Sequence, residues 1–370
     1  MAFALIVAAC GVGFIWNGVI TDFANRQIFG NQSPPSDTTF AGGLDIHFID
    51  VGQGDAVVIR FPNEQIMIVD AGTNTTASRN AFSEYLQTHI FPGNTPRIVH
   101  YFVATHSHAD HIGAAYYLLA NYQVNTVIRP LAFTQHEINT NVPTTRFGLT
   151  PPFMVHNTQI MQNFVRRLDQ SGATVRVPYR GKTMTFGGAQ VEFLSPNGHY
   201  FDALNRLSTI FTITFQGRTI MFTGDSYVAC ELVMLEFLAY HNRTINVDIL
   251  DVSHHGSTTS TSLALVNAIN PTYAIIQVGT NNFGHPHGAI IRRLEAADAT
   301  VLTTRQVGDI HARVSSTGVI EINGAIAPGQ WFSYWILVAM TLATAFAILL
   351  AMDFITKNQR NSRRPKQRKR

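Results

Sequence analysis

Cysteine is almost missing from this chain of 370 residues. Cys10 lies in an apolar run and Cys230 in a stretch of helical spacing, so no disulfide framework is implied. Charge is scarce too, at 13% of residues against 46% hydrophobic. Lysine is rarer still: of the 18 basic residues before residue 353, 17 are arginine. With 22 acidic side chains in the same span, its net charge is −4, and no basic cluster marks a footprint for long nucleic acid. The formal +3 of the whole chain therefore belongs to its last residues. There are no internal repeats, and the length suits one large domain or two modest ones.

The missing charge is concentrated in two places. Residues 3–20 are uncharged, and residues 331–352 contain no charge at all. Each is close to the roughly 20 residues that cross a hydrocarbon core as a helix. Trp331, Tyr334 and Trp335 stand at one end of the second run, where amphipathic rings suit a membrane surface. No Lys or Arg precedes Arg26, so residues 1–20 lack the basic start of a secretory signal. An uncleaved transmembrane anchor is the expectation there, with a cleaved signal as the alternative. After the second run come eight Lys or Arg and no acid beyond Asp353. Basic flanks stay on the cytoplasmic side. The expected layout is an anchor at 1–20, a linker at 21–43, a domain at 44–325 outside the cytoplasm, a span at 331–352 and a cytoplasmic tail at 353–370. The tail reads as a topology signal that also touches anionic lipid.

Between Leu44 and about Asn323, strands alternate with helices. Short runs rich in β-branched residues predict strands at 44–51, 56–61, 65–69, 98–104, 190–194, 208–216, 218–223, 247–252, 272–278 and 309–314. Helical spacing predicts helices at 79–89, 111–120, 158–170, 226–240, 261–268 and 288–297. Residues 130–157, with Pro143, Pro151 and Pro152, read as a long loop. Hairpins near the start and helices between later strands give two mixed sheets covered by helices.

The chemistry concentrates in Thr105-His106-Ser107-His108-Ala109-Asp110-His111, directly after the strand at 98–104. Imidazole nitrogen and carboxylate oxygen suit Zn²⁺ or Mn²⁺. Alternation along an extended start lets His106 and His108 point the same way. Asp110 and His111, entering a helix, can face a second ion. Three histidines and one aspartate within six residues are hard to explain as packing.

This segment resembles the HxHxDH signature of the metallo-β-lactamase superfamily. Asp70-Ala71-Gly72 looks like its first motif, whose Asp buttresses the ligands. Thr223-Gly224-Asp225 looks like the motif whose Asp bridges two metals, and Ser253-His254-His255-Gly256-Ser257 like the one supplying a late histidine. By position after the strand that ligand is assigned to His254, with His255 as the near alternative. The resemblance implies an α/β fold, a four-layer αβ/βα sandwich, holding one or two ions of Zn or Mn. Phe48-Ile49-Asp50-Val51-Gly52-Gln53-Gly54-Asp55-Ala56 and Val278-Gly279-Thr280-Asn281-Asn282-Phe283-Gly284-His285-Pro286-His287 resemble the C-terminal hydrolase domain of the ComEC family of DNA-internalisation proteins.

What this narrower resemblance implies is a phosphodiesterase or nuclease acting on DNA, with a separate DNA-translocation channel protein as a further expected partner. His106 and His108 would hold one ion, and Asp110, His111 and His254 the other, with Asp225 between them. Asp110 and Asp225 are the expected catalytic residues. Asp55 either orients histidines or caps its turn. Gly52 and Gly54 are expected to expose backbone N–H groups near the metals. His285 and His287, with His255 and Ser257, either meet the substrate or support the loops. The superfamily's third-motif histidine is not evident, although His199 stands near its place. Arg206 replaces an Asp of the family pattern and either contacts phosphate or is a surface change. Hydrolysis of a small ester, lactone or lactam is the alternative within enzymes. A non-catalytic DNA- or partner-binding module is the alternative outside them.

Overall fold

Residues 42–196 and 203–322 are described in the computed structural model. The apolar runs at 1–20 and 331–352, nearly all of the linker, the tail and His199 lie outside them. Among the described residues no helix is long and apolar enough to cross a membrane.

Two mixed sheets form the centre. The first runs Ile320–Ile322, Ile310–Val314, Leu44–Phe48, Val57–Arg60, Ile66–Val69, Ile98–Val103, Gln123–Ile128, Thr174–Arg176. The second runs Thr300–Thr303, Tyr273–Ile276, Ile249–Asp251, Arg218–Phe222, Phe211–Phe215, Ala189–Phe193, Thr183–Phe186. Aromatic rings fill the space between the sheets. Phe48 of the first stacks on Phe222 of the second at 6.4 Å between centroids, and Tyr101 meets Phe186 at 4.9 Å. A second apolar layer joins the first sheet to helices Thr76–Tyr85, Ala115–Asn121 and Gln159–Ser171. A third joins the other sheet to Val228–Tyr240, Leu263–Ile269 and Gly288–Glu295. With both faces covered, strands such as Ile66–Val69 are buried along their whole length, as their unbroken apolar sequence requires.

Gln159–Ser171 shows how such a helix is written. Met161, Phe164, Val165 and Leu168 repeat every three or four residues and form its buried face. Burying each is worth about 1.5–3 kcal/mol. Thr158 accepts the N–H of Met161 at the start, and Gly172, at φ 73°, ends the helix in the left-handed region.

Residues 130–157 differ from the expected loop. They carry the short helices Gln135–Asn139 and Val142–Phe147 and two short paired strands. The cause is a buried ion pair. Arg129 donates to both Glu137 and the carbonyl of Ala132 (2.7 Å for the latter), and its guanidinium lies 4.7 Å from the Phe133 ring centre. Glu137 also accepts from the N–H and hydroxyl of Thr134, at 2.9 and 3.0 Å, closing a capping box. Glu137→Ala leaves the Arg129 charge buried and unpaired, and is expected to cost about 3–5 kcal/mol in urea unfolding of the full chain. A loss under about 1 kcal/mol would show that water reaches the pair, as in an exposed salt bridge.

Candidate metal centre

Every residue of the expected centre sits at one end of the two sheets. Ile66–Val69, Ile98–Val103 and Gln123–Ile128 run parallel in the first sheet. Arg218–Phe222, Ile249–Asp251 and Tyr273–Ile276 run parallel in the second. The C-terminal ends of Ile66–Val69 and Ile98–Val103 deliver Asp70 and residues 105–111, and those of the three strands of the second sheet deliver, in turn, Asp225, His254–His255 and the loop from Gly279 to His287. Loops at the carboxyl ends of parallel strands are where such folds place ligands.

Asp225 lies at the middle and is 2% exposed. Its Oδ1 is 3.1 Å from His111 Nε2 and 3.8 Å from His255 Nε2. Its Oδ2 is 3.6 Å from both His106 Nε2 and His254 Nε2. His106 Nε2 and His108 Nδ1 approach to 2.9 Å. Asp110 Oδ2 lies 3.2 Å from His255 Nε2, so the histidine facing Asp110 is His255 rather than His254. The reason is the backbone: both residues are left-handed, at φ 54° and 53°, which turns adjacent side chains to different sides of Asp225.

The outer atoms of these rings are fixed by neighbours. Asp70 holds His111 Nδ1 at 2.7 Å and accepts from the N–H and hydroxyl of Thr105, at 2.8 and 2.6 Å. His255 Nδ1 meets the Gln277 carbonyl at 2.9 Å and Asp55 Oδ1 at 3.1 Å. Such bonds set ring orientation and leave Nε2 for an ion. His111 Nε2 and Asp225 Oδ1 are buried and face each other at 3.1 Å without a well-directed hydrogen bond to any group. These buried atoms and the donor set fit a cation. Three of the close groupings are His106–His111–Asp225, Asp110–His111–His255 and Asp55–Asp225–His255, with ligand atoms within 4.8 Å of one another.

Charge follows from burial and crowding. Burial alone would raise the Asp225 carboxyl, but His111, His255 and His106 together hold it well below the usual range. Burial likewise pushes the His111 imidazole down, yet Asp225, Asp70 and Asp55 outweigh it and lift the ring well above its ordinary value. His255 is lifted in the same way by Asp225, Asp55 and Asp110. Carboxylates therefore dominate this site, and a cation satisfies them as protons do.

The remaining expected residues are placed less directly. Gly54 lies against the Asp110 carbonyl, where an added Cβ would come within 2.4 Å, and the N–H of Asp55 donates to that carbonyl at 3.1 Å. The turn at 52–55 thus clamps the ligand loop: the N–H groups of Gly52 and Asp55 are engaged, by Asp50 and Asp110, rather than offered to a substrate. Ser257 reaches Thr259 at 3.0 Å, and Thr259 holds His254 Nδ1 at 2.9 Å. His285 stands 5.4 Å from the His254 ring, and His287 5.3 Å from His285. Asn205, not Arg206, turns its side-chain amide to His254 Nε2, at 3.4 Å.

Sequence reasoning missed Thr105, Thr259, Gln277 and His156. His156 holds the Ser107 hydroxyl at 2.7 Å, with its ring 6.1 Å from His108. Thr105 lay inside the quoted motif and was legible. A backbone carbonyl such as that of Gln277 leaves no mark in sequence.

A family model described as the metallo-beta-lactamase superfamily matches residues 49–279. The chain belongs to the metallo-β-lactamase superfamily. Within this family it is similar to ComE operon protein 3 of Bacillus subtilis, at 24% identity over 282 residues, covering 73% of this chain and 33% of that protein. It is also similar to competence protein ComA of Neisseria gonorrhoeae, at 28% identity over 133 residues, covering 36% of this chain and 19% of that protein. The chain thus spans a third or less of the length of these curated relatives. Among solved structures it resembles the metallo-beta-lactamase fold protein YhfI of Bacillus subtilis, with TM-score 0.43 and 11% identity over 76% of this chain and 99% of that one. The fold is that of a metal-dependent hydrolase, and its His and Asp clusters suit one or two ions.

Asp70→Asn tests the buttress. It is expected to weaken Zn²⁺ binding about 10–100-fold in a competition titration while the fold persists. An unchanged affinity would show that Asp70 only shapes its turn.

Proposed function

We propose that this chain is a metal-dependent phosphodiesterase acting on DNA outside the cytoplasm. In this reading the hydrolase domain at 44–325 is held at the cell membrane by the runs at 1–20 and 331–352, with the tail at 353–370 cytoplasmic. The observation that carries the reading is the Asp225 carboxylate, which presents one oxygen to His106 and the other to His111 and His255. Such a buried anion can serve a cation through each oxygen, and paired cations suit in-line displacement at phosphorus.

His106 and His108 offer the first position. Asp110, His111 and His255 offer the second, and Asp225 serves both. Zinc or manganese bound there would supply a Lewis acid and a water acidified to a pKa of about 7. Asp110 is the carboxylate that meets both solvent and the cluster, with its side chain 29% exposed against 7% or less for Asp55, Asp70 and Asp225. It therefore receives the proton released by the attacking water. His285 and His287 donate to the phosphate. Phe283, 70% exposed and 5.7 Å from the His285 ring, gives a nucleobase a face to stack on. Its loop is braced by Asn281, which accepts from the N–H groups of Phe283 and His285 at 3.0 and 3.1 Å. The name of the gonococcal relative, a competence protein, supports a DNA substrate. A separate DNA-translocation channel protein is the partner this reading asks for.

The test uses the full chain purified in detergent, with labelled single- and double-stranded DNA and Mn²⁺ or Zn²⁺. Cleavage is expected, abolished by a chelator and reduced at least about 10²–10⁴-fold in Asp110→Ala. Bound metal without cleavage of any nucleic acid would turn the reading to a small ester or lactone, and absence of metal to a binding module.

Phe283→Ala is expected to raise KM for single-stranded DNA by the factor that about 1–3 kcal/mol of stacking implies. It should leave KM for a small phosphodiester without a base unchanged. An equal effect on both would remove Phe283 from substrate binding.

A further inference from the structure

The substrate contacts named so far, His285, His287 and Phe283, all follow strands of the second sheet. Beside His108, on the side of the first sheet, stands a residue from another part of the chain. The ring of His156 lies 6.1 Å from that of His108, at 88° to it. It is carried by the segment 130–157, which the buried Arg129–Glu137 pair holds down, and its N–H donates to the Phe133 carbonyl at 2.8 Å. Nδ1 meets the Ser107 hydroxyl at 2.7 Å. Ser107 is 1% exposed, and among the described residues its hydroxyl has no other partner. A buried hydroxyl gives its proton to the acceptor within reach, so Nδ1 accepts and Nε2 carries the ring proton. The ring is half-buried, and among the described residues Nε2 has no partner.

The next residue opens a cleft. Asn157 lines a space of about 600 Å³ between the start of Gln135–Asn139 and the helix Gln159–Ser171. It is fixed at the edge: its side chain accepts the N–H of Gln135 at 3.2 Å, and its carbonyl accepts from Gln162 at 3.1 Å. Side-chain amides, His136 and Arg166 make most of the remaining lining. The one acid, Asp169, is met by Arg146 at 3.1 Å, so two guanidiniums stand against one carboxylate. Among the described residues Arg166 bonds only to Asn163 of its own helix. This surplus of positive charge is set in a chain whose first 352 residues carry a net −4. Amides suit the edges of a base or sugar, and a guanidinium suits phosphate. Because the cleft begins one residue from His156, its occupant is continuous with whatever lies at the metal centre.

We infer that His156 and this cleft form a subsite for the strand adjoining the phosphate that is cut. His156 Nε2 donates to the neighbouring phosphate, and Arg166 meets one farther along. This rests on the phosphodiesterase reading above and narrows its substrate to a strand of several nucleotides. The segment 130–157 is then a wall of the active site, and the buried Arg129–Glu137 pair keeps that wall beside His108.

The experiment measures binding apart from cleavage. The full chain in detergent, carrying Asp110→Ala so that strands persist, is titrated with fluorescent single-stranded DNA and Zn²⁺. Strands run from a dinucleotide to a decanucleotide, and equal melting temperatures establish that each further variant folds. The decanucleotide is expected to bind at least about tenfold tighter than the dinucleotide. His156→Phe, which keeps a ring but no donor, is expected to lose about 10–100-fold on the decanucleotide, the worth of one hydrogen bond to a charged group. His156→Gln, which keeps a donor amide, restores most of it. Arg166→Ala is expected to flatten the slope of log Kd against log salt by about 0.7, one phosphate contact on a single strand. Arg97→Ala removes an exposed arginine just ahead of Ile98–Val103, at the end away from the centre, and leaves the slope as it was. Equal affinity for the two lengths, or a slope unmoved by Arg166→Ala, overturns the subsite while cleavage by the wild type stands. A wild type that neither binds nor cuts any strand overturns the phosphodiesterase reading together with it.

Discussion

A carboxylate taken out of water must be met by positive charge or hydrogen bonds, and Asp225 is met by imidazoles on both oxygens. Meeting this requirement draws on both sheets. His106, His108, Asp110 and His111 come from the strand Ile98–Val103 of one, and His254 and His255 from Ile249–Asp251 of the other, while Asp225 follows Arg218–Phe222. The Phe48–Phe222 contact locks the sheets face to face and so fixes how far apart the two sets of ligands stand. Packing in the middle of the sandwich is therefore also a constraint on coordination distance. A shift of the sheets by an ångström would be felt first at Asp225.

Around that centre the negative charge is deliberately in excess. Asp55, Asp70 and Asp110 join Asp225 about His111 and His255, and the two rings are lifted well above their ordinary values although burial opposes it. In the absence of an ion, protons on these rings balance the carboxylates. The two carriers of positive charge, proton and metal, thus compete for the same nitrogens, and metal binding is coupled to proton release. The supporting bonds from Thr105, Thr259 and the Gln277 carbonyl keep the rings aimed in either state.

Much of the fold was legible because its strands are short, apolar and rich in β-branched residues. All ten predicted strands are present, and each predicted helix has a counterpart, though the one at 111–120 is broken at Gly113 into Ala109–Ile112 and Ala115–Asn121. Thr174–Arg176, Thr183–Phe186, Thr300–Thr303 and Ile320–Ile322 escaped notice because partly exposed strands of three or four residues carry too little pattern, and Gln123–Ile128 was missed because its polar Gln123, Asn125 and Thr126 break the apolar run. Residues 130–157 misled through their prolines, which hid the capping box at Thr134 and Glu137. At the centre, the HxHxDH run gave residue types and spacing, but not which of two adjacent histidines faces Asp110. That choice depends on φ values that neither residue type announces. The glycine turn at 52–55 lies beside the site, but its Gly52 N–H donates to Asp50 and its Asp55 N–H to the Asp110 carbonyl of the ligand loop.

The position of Leu44–Phe48 has a mechanical consequence. It is an interior strand, paired antiparallel with Ile310–Val314 on one side and Val57–Arg60 on the other. The chain comes in at Leu44, at the end of the strand remote from the loop that clamps Asp110, and five residues at about 3.3 Å each separate the two. A pull on the chain ahead of Leu44 runs along the strand and loads two rows of hydrogen bonds in shear, all at once, rather than peeling them one by one. The strands bearing the ligands lie farther into the sheet. Tension arriving from the N-terminal side is thus carried by the first sheet's backbone and spent before it reaches the coordination geometry.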